Sequence, residues 1–266
     1  MFRVARQIAT TLGHEPLSEV WFAFDQLKPW SARLQGQPLA AVETLGKALL
    51  LKWPDGTTVY THNQLYGRWL FSPADRRPDT RRQLRLALSN GHRSALLYSA
   101  SEIEVLEPGA VKQHPFIQRA GLDILSSGAT VDDIDSWISA PAFARRRLGH
   151  LLLDQSFLAG VGNYLRSEIL FLARLDGDRR LGDLSPAERR ALAEAAHTMM
   201  WRSVETGGIT NDPVRVQQLK AAGWRRPEYR HFVFGREAQA CFECDGPIVR
   251  LAVSGRRLYA CPSCQR

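Results

Sequence analysis

LLLDQSFLAGVGNYLRSEILFLARL, residues 151–175, carries two apolar runs parted by Gly160-Val161-Gly162-Asn163. The first run reads as a helix ending at the glycines, and the second as a helix starting after them. Backbone N–H groups that open the second helix have no partner inside it. With the helix dipole behind them they make a donor set for an anion. A plain packing corner between two helices explains the same residues, so turn chemistry alone does not decide between a structural element and a phosphate site.

Working outward toward the C-terminus, the texture stays helical. Thr130 can cap a helix running through Trp137, and Ser185-Pro186-Ala187-Glu188 is a capping box with proline at the first helical position. That second helix is expected to run to about Val204 and stop before Gly207-Gly208. Residues 209–228, ITNDPVRVQQLKAAGWRRPE, have weak periodicity and read as a mobile loop with at most one helical turn. YRHFVFG then opens a final unit, CFECDGPIVRLAVSGRRLYACPSC, residues 241–264.

That final unit holds all four cysteines, as two Cys-x-x-Cys pairs sixteen residues apart. Paired Cys-x-x-Cys at such spacing is the pattern of a tetrahedral structural zinc site, with Cys241, Cys244, Cys261 and Cys264 as ligands to one Zn²⁺. Two disulfides fit a small exported domain, and a redox pair belongs after a strand in a thioredoxin-like unit; neither context is present. A site closed by four thiolates leaves no open coordination position, so its metal organises backbone and does not catalyse. Arg256 and Arg257, beside Ser254-Gly255, fall at the middle of the hairpin such a metal would brace, and can aim a guanidinium at a phosphate. A solvated basic turn is the plainer account of them.

Toward the N-terminus the texture is β. Apolar residues at 1, 4, 5, 8 and 12 predict a short amphipathic helix over Met1–Leu12. EVWFAF, ALLLKW and TTVYTH are rich in β-branched and aromatic residues, and LRLALSNGHRSALLYS is a hairpin turning at Asn90-Gly91. RAGLDILSSG, residues 119–128, reads as a linker. The predicted class is therefore α+β in two domains. A β-sandwich with a flanking helix spans 1–118, a linker 119–128, a helical domain 129–228, and a metal-bound hairpin 229–266.

With 35 Lys and Arg against 27 Asp and Glu the formal net charge is +8, which suggests a polyanionic partner, most often nucleic acid. No apolar run reaches membrane-spanning length and no leader pattern opens the chain, so a reducing cytoplasm is the expected compartment. Two short stretches then stand out. Gln64-Leu65-Tyr66 precedes Gly67 between two strand-like runs, and an apolar and an aromatic residue are a poor use of a solvent-facing tip. A buried turn is one explanation; a wedge that enters a base stack is the other. Lys47 follows Gly46 at the start of an apolar strand, where a lysine is usually just solvated.

Taken in order, LGKALL, HNQLYG, QRAGLD, LLLDQSFLAGVGNYLRSEIL and YACPSCQ resemble the formamidopyrimidine-DNA glycosylase/endonuclease VIII family, from about Pro16 to the C-terminus. HNQLYG is similar to the endonuclease VIII branch, which works on oxidised pyrimidines. The resemblance implies a base-excision repair enzyme with a helix–two-turn–helix element. It would flip a damaged base out of duplex DNA, cleave the glycosidic bond, and cut the backbone by β,δ-elimination. Carried onto matching positions, Lys47 contacts the lesion phosphate and assists β-elimination, and Arg256 grips phosphate and assists δ-elimination. Asn163 and Arg119 bind phosphate, and Gln64, Leu65 and Tyr66 fill the gap left by the flipped nucleotide. Glu168 is expected to face the N-terminus of the chain. The partner implied is duplex DNA with damaged bases or abasic sites, bound by a monomer.

The resemblance departs at the front. Family members carry Pro-Glu-Gly-Pro-Glu after the initiator methionine, where the proline amine attacks the sugar C1′ and forms a Schiff base while the glutamate moves protons. This chain begins Met1-Phe2-Arg3-Val4, and Met1 aligns just after that stretch. The expectation is a natural start six residues upstream. A damage-binding protein without glycosylase activity is the alternative, and lyase chemistry from Lys47 a third reading. A zinc-ribbon protein for RNA explains the charge and the cysteines but leaves HNQLYG without a role.

Overall fold

Leu49, Leu51, Leu86, Leu88 and Leu97 are inaccessible to solvent, and their alternation along three strands sets the architecture of the first 119 residues. The computed structural model describes residues 1–253 and 255–266 and divides into two units, Met1–Arg119 and Ala120–Arg266.

In the first unit, α1 (Phe2–Leu12) leads to β1 (Glu19–Phe22) and α2 (Lys28–Leu34). Then follow β2 (Ala41–Leu45), β3 (Ala48–Lys52), β4 (Thr58–His62), β5 (Arg68–Pro73), β6 (Leu84–Ser89), β7 (Arg93–Tyr98), β8 (Glu102–Leu106) and α3 (Pro115–Arg119). Two four-stranded sheets form, in the orders β1-β6-β7-β5 and β2-β3-β4-β8, and every strand pair is antiparallel. Period-two alternation sends one face of each sheet inward. Val20, Phe22, Leu49, Leu51, Val59, Trp69, Leu86, Leu88 and Leu97 thus share one core, so the β-sandwich expected from sequence is present. The amphipathic helix α1 joins it through Ala5, Ile8 and Leu12 on one face. β3 is buried on both faces because α3 covers its outer side: Phe116 and Ile117 pack on Ala48, Leu50 and Tyr60. The β6–β7 hairpin turns where Asn90 was expected, its side-chain oxygen accepting from His92 N at 3.0 Å and Arg93 N at 2.8 Å.

The second unit contains α4 (Val131–Ile138), α5 (Leu148–Leu151), α6 (Asn163–Leu172) and α7 (Pro186–Thr206). After these come α8 (Pro213–Ala221), α9 (Arg226–Tyr229), β9 (Val249–Val253) and β10 (Arg256–Ala260). The expected cap at Thr130 opens α4 and proves to be a capping box with Asp133, and the expected capping box of Ser185 with Glu188 opens α7. Residues 120–128 pack within this unit. Gly121 donates to Gln155 O at 2.8 Å, and a Cβ at position 121 would lie 2.3 Å from Ser156 O, so only glycine allows the approach. The expectation of a loop over 209–228 is corrected: the segment holds α8 and α9. The helix start was legible in Asp212-Pro213, since Asp212 accepts from Arg215 N at 2.9 Å and proline occupies the first turn.

Candidate nucleic-acid interface and metal centre

Antiparallel register gathers the first unit's candidates at one end of one sheet. Leu45 pairs with Ala48, so Gly46-Lys47 is the two-residue β2–β3 turn; Ala48 pairs with His62, and His62 with Glu102. Lys47, the loop 63–67 and the start of β8 therefore lie together. In that loop Leu65 is 84 % exposed and Tyr66 72 %, which removes the buried-turn reading of the tip. The loop backbone closes through Gly67 N donating to Asn63 O at 2.7 Å, and a Cβ on Gly67 would meet Asn63 Cα at 2.6 Å.

Side chains pin this loop from beneath. Gln64 adopts φ +48°, and its amide is held on both atoms: Nε2 donates to Glu102 Oε2 at 2.8 Å and Oε1 accepts from Ser101 Oγ at 2.8 Å. Glu102 Oε1 also accepts from Tyr60 Oη at 3.0 Å. His62 Nδ1 accepts from Gln64 N at 3.2 Å, which requires a neutral ring. Burial, with Lys47 nearby, holds the His62 pKa below its usual value against the opposing pull of Glu102. Arg119 is exposed on α3, whose Phe116 ring lies 5.8 Å from His62, so it flanks the same sheet end.

In the second unit the two turns between α5 and α6 are tied by one side chain. Gln155 Oε1 accepts from Gly160 N at 3.0 Å while Nε2 donates to Leu153 O and Val161 O. Asn163 is the first residue of α6. Its Oδ1 accepts from Arg166 Nη2 at 2.8 Å, which leaves its amide N–H₂ as the outward donor beside the first helical N–H groups. Arg166 is wholly buried and also donates to Gly149 O at 2.8 Å and to Arg257 O at 3.1 Å. Burial, then the charge of Arg256, brings its pKa down to about 10. Asn163 and the backbone of Arg257, the residue after Arg256, thus meet around one buried guanidinium. Arg256 starts β10 opposite Val253; Ser254, named beside it in the sequence, lies outside the described residues.

Glu168, expected to face the N-terminus of the chain, is fully buried, and its four hydrogen-bond donors all belong to the second unit. It accepts from Phe232 N, Val233 N and Phe234 N at 2.8, 2.9 and 3.0 Å and from Thr210 Oγ1, and so anchors the segment leading to the cysteines. Thr210 Oγ1 also lies 2.7 Å from His231 Nδ1. Burial, with Arg230 and Arg226 adding to it, pushes the His231 pKa down to about 3. A folded value below the unfolded one means the unfolded chain binds the extra proton. His231 therefore contributes stability above about pH 6.5 that is lost as pH falls toward about 3, at up to about 1.4 kcal/mol per pH unit. Burial raises the Glu168 pKa, so its contribution runs the opposite way, full below the unfolded value and shrinking as pH rises. Urea titrations between pH 6.5 and 4.5 should show a fall in stability that His231→Gln reduces.

The four cysteines converge. Their sulfurs all lie within 4.8 Å of one another, with Cys241–Cys264 at 3.9 Å and Cys244–Cys261 at 3.4 Å. Four thiolates at about 2.3 Å from a tetrahedral ion stand roughly 3.8 Å apart, so this group could hold a metal ion. Gln265 ties the second pair to the helical core, accepting from Cys261 N and donating to Leu175 O.

Sequence reading missed Glu102, Gln155 and Arg166 as organisers of these sites. Arg166 carried a signal, since it lies three residues after Asn163 and shares its helix face. Glu102 carried none, because only strand register brings it under Gln64.

Residues 121–213 match the formamidopyrimidine-DNA glycosylase H2TH domain. Endonuclease 8 of Shigella flexneri serotype 5b is 41% identical over 263 residues, covering 99% of this chain and 97% of that protein. The crystal structure of MutM (Fpg) from Thermus thermophilus superposes with a TM-score of 0.76 at 27% identity, over 99% of this chain and 96% of that one. Lactococcus lactis Fpg in complex with a FAPY-dG-containing DNA has the same fold, with a TM-score of 0.79 at 15% identity over 100% of this chain and 98% of that chain. No helix among the described residues is long and apolar enough to cross a membrane. A helix–two-turn–helix element, a four-cysteine hairpin and 41% identity to an endonuclease 8 over nearly the full length together place the chain in the Fpg/endonuclease 8 family of base-excision DNA glycosylases.

Proposed function

We propose that this chain removes oxidised bases, pyrimidines in preference, from duplex DNA and cleaves the resulting abasic site by β,δ-elimination. The observation that carries this reading is the exposed Leu65–Tyr66 tip on a pinned loop at the same sheet end as Lys47. Solvent does not reward an exposed Leu-Tyr pair, but a vacancy in a base stack does. Flipping a nucleotide costs a few kcal/mol, less for a damaged base, and side chains that fill the gap offset part of it. Gln64, Leu65 and Tyr66 take that role. Lys47 binds the lesion phosphate and assists β-elimination. Asn163 and Arg119 each bind phosphate, and Arg256 grips phosphate and assists δ-elimination.

The glycosidic step needs a neutral amine that attacks C1′ as the base departs, giving an iminium ion once the sugar ring opens. The resemblance assigns that amine to the proline of the family's Pro-Glu-Gly-Pro-Glu stretch, which residues 1–266 do not contain. The metal is assigned as one Zn²⁺ on Cys241, Cys244, Cys261 and Cys264, since four thiolates favour zinc and leave it no catalytic position. It braces the hairpin that carries Arg256. The enzyme is read as a monomer.

Strand cleavage of an abasic-site duplex by the chain carrying that front stretch tests the assignment. Lys47→Ala is expected to slow cleavage, and Arg256→Ala to shift products from δ- to β-elimination while weakening binding. Lesion-selective binding without any cutting would instead make this a damage-binding protein.

A further inference from the structure

Half of the chain's formal net charge lies in the eighteen residues 68–85, where six arginines stand against two aspartates, a net +4. These residues form β5, the connection to β6 and the start of β6. Register places both ends of the stretch beside the exposed tip. Arg68 follows Tyr66 by two residues and pairs with Tyr98, and Leu84 pairs with the same Tyr98 from the other side. Arg81 and Arg82, which lead into Leu84, therefore return to the end where the tip projects.

The arginines divide by what holds them. Arg77 is bound to Glu19 at 2.6 Å, and Arg85 donates to Gln83 and lies over the Phe24 ring. Arg82 reaches the tip itself, its Nη1 donating to Tyr66 O at 2.7 Å. With Ser101 and Glu102 holding Gln64, the loop is fastened on both flanks before any ligand arrives. Arg68 and Arg81 are exposed, and no side-chain hydrogen bond or ion pair to either occurs among the described residues.

We propose that Arg68 and Arg81 are two further phosphate contacts to duplex DNA, set on either side of the Leu65–Tyr66 tip, with Arg82 as the positioning residue that fixes the tip between them. The inference rests on the reading of the tip as a wedge in a base stack and extends it to the DNA backbone. Any tip entering a duplex lies between two rows of phosphates, and a guanidinium meets a phosphate with two parallel hydrogen bonds. Each such contact releases counterions and steepens the salt dependence of binding. Tip insertion and backbone capture then occur in one movement.

The test is the slope of log affinity against log salt for a duplex carrying a tetrahydrofuran abasic analogue. Wild type, Arg68→Ser, Arg81→Ser, the double variant and Arg76→Ser are compared; Arg76 is exposed and hydrogen-bonds through its backbone to Pro73, at the other end of β5. Each tip-side change is expected to lower the slope by about 0.9 and the double variant by about 1.8, with Arg76→Ser unchanged. For Arg82, fluorescence of 2-aminopurine opposite the abasic site reads insertion: Arg82→Ala is expected to reduce it and Arg82→Lys to restore part of it. Tight wild-type binding with an undiminished slope in the double variant would overturn the inference and leave the functional reading intact. Failure of wild type to bind the duplex would overturn both.

Discussion

Glu168→Ala should destabilise the second unit by about 3–5 kcal/mol, since each buried donor left unsatisfied costs about 1–3 kcal/mol. The side chain has no solvent exposure, and its loss strands three backbone N–H groups, those of Phe232, Val233 and Phe234, together with the Thr210 hydroxyl. None of these can turn to water without opening the segment that leads to Cys241. The change should therefore appear twice, as a lowered denaturant midpoint and as faster hydrogen exchange at residues 232–234. A midpoint within about 1 kcal/mol of wild type would mean that Glu168 does not anchor that segment.

Arg166→Met is the second large effect, and it separates stability from binding. Replacing a buried charge by an apolar side chain of similar length can be nearly neutral when its partners are also satisfied. Here they are not: Gly149 O, Asn163 Oδ1 and Arg257 O all lose their donor. We expect a loss of about 2–4 kcal/mol. DNA affinity should fall at least about tenfold, the equivalent of about 1.4 kcal/mol. The binding loss follows because Arg166 fixes which way the Asn163 amide faces and where the Arg256 strand sits. Asn163→Ala should cost less stability but a comparable share of affinity. Equal affinity of Arg166→Met and wild type, measured by fluorescence anisotropy, would dissociate Arg166 from the phosphate site.

Much of this was legible in the sequence because local chemistry determined it. Helix caps at Thr130 and Ser185 need only residues within one turn, and the β6–β7 hairpin needs only Asn90-Gly91 between two apolar runs. The cysteine cluster was readable because its ligands come in two short pairs. Residues 209–228 were misread as loop because α8 shows little amphipathic pattern; only Val216 among its residues is buried. Its start depends on one capping aspartate followed by proline, a signal that periodicity does not register. The underpinnings of the site were illegible for a different reason. Glu102 reaches Gln64 across thirty-eight residues and Arg257 O reaches Arg166 across ninety-one, and both contacts exist only once register is set. Glu168 was expected to face the N-terminus of the chain, while its surroundings use every lone pair for structure.

The proposed function requires an iminium link between this protein and the C1′ of a damaged nucleotide. The direct measurement is borohydride reduction during incubation with a labelled abasic-site duplex, using the chain preceded by Met-Pro-Glu-Gly-Pro-Glu. A covalent protein–DNA adduct that disappears when the proline is acetylated is the predicted result. Absence of any adduct, with the duplex bound and uncut, would contradict it.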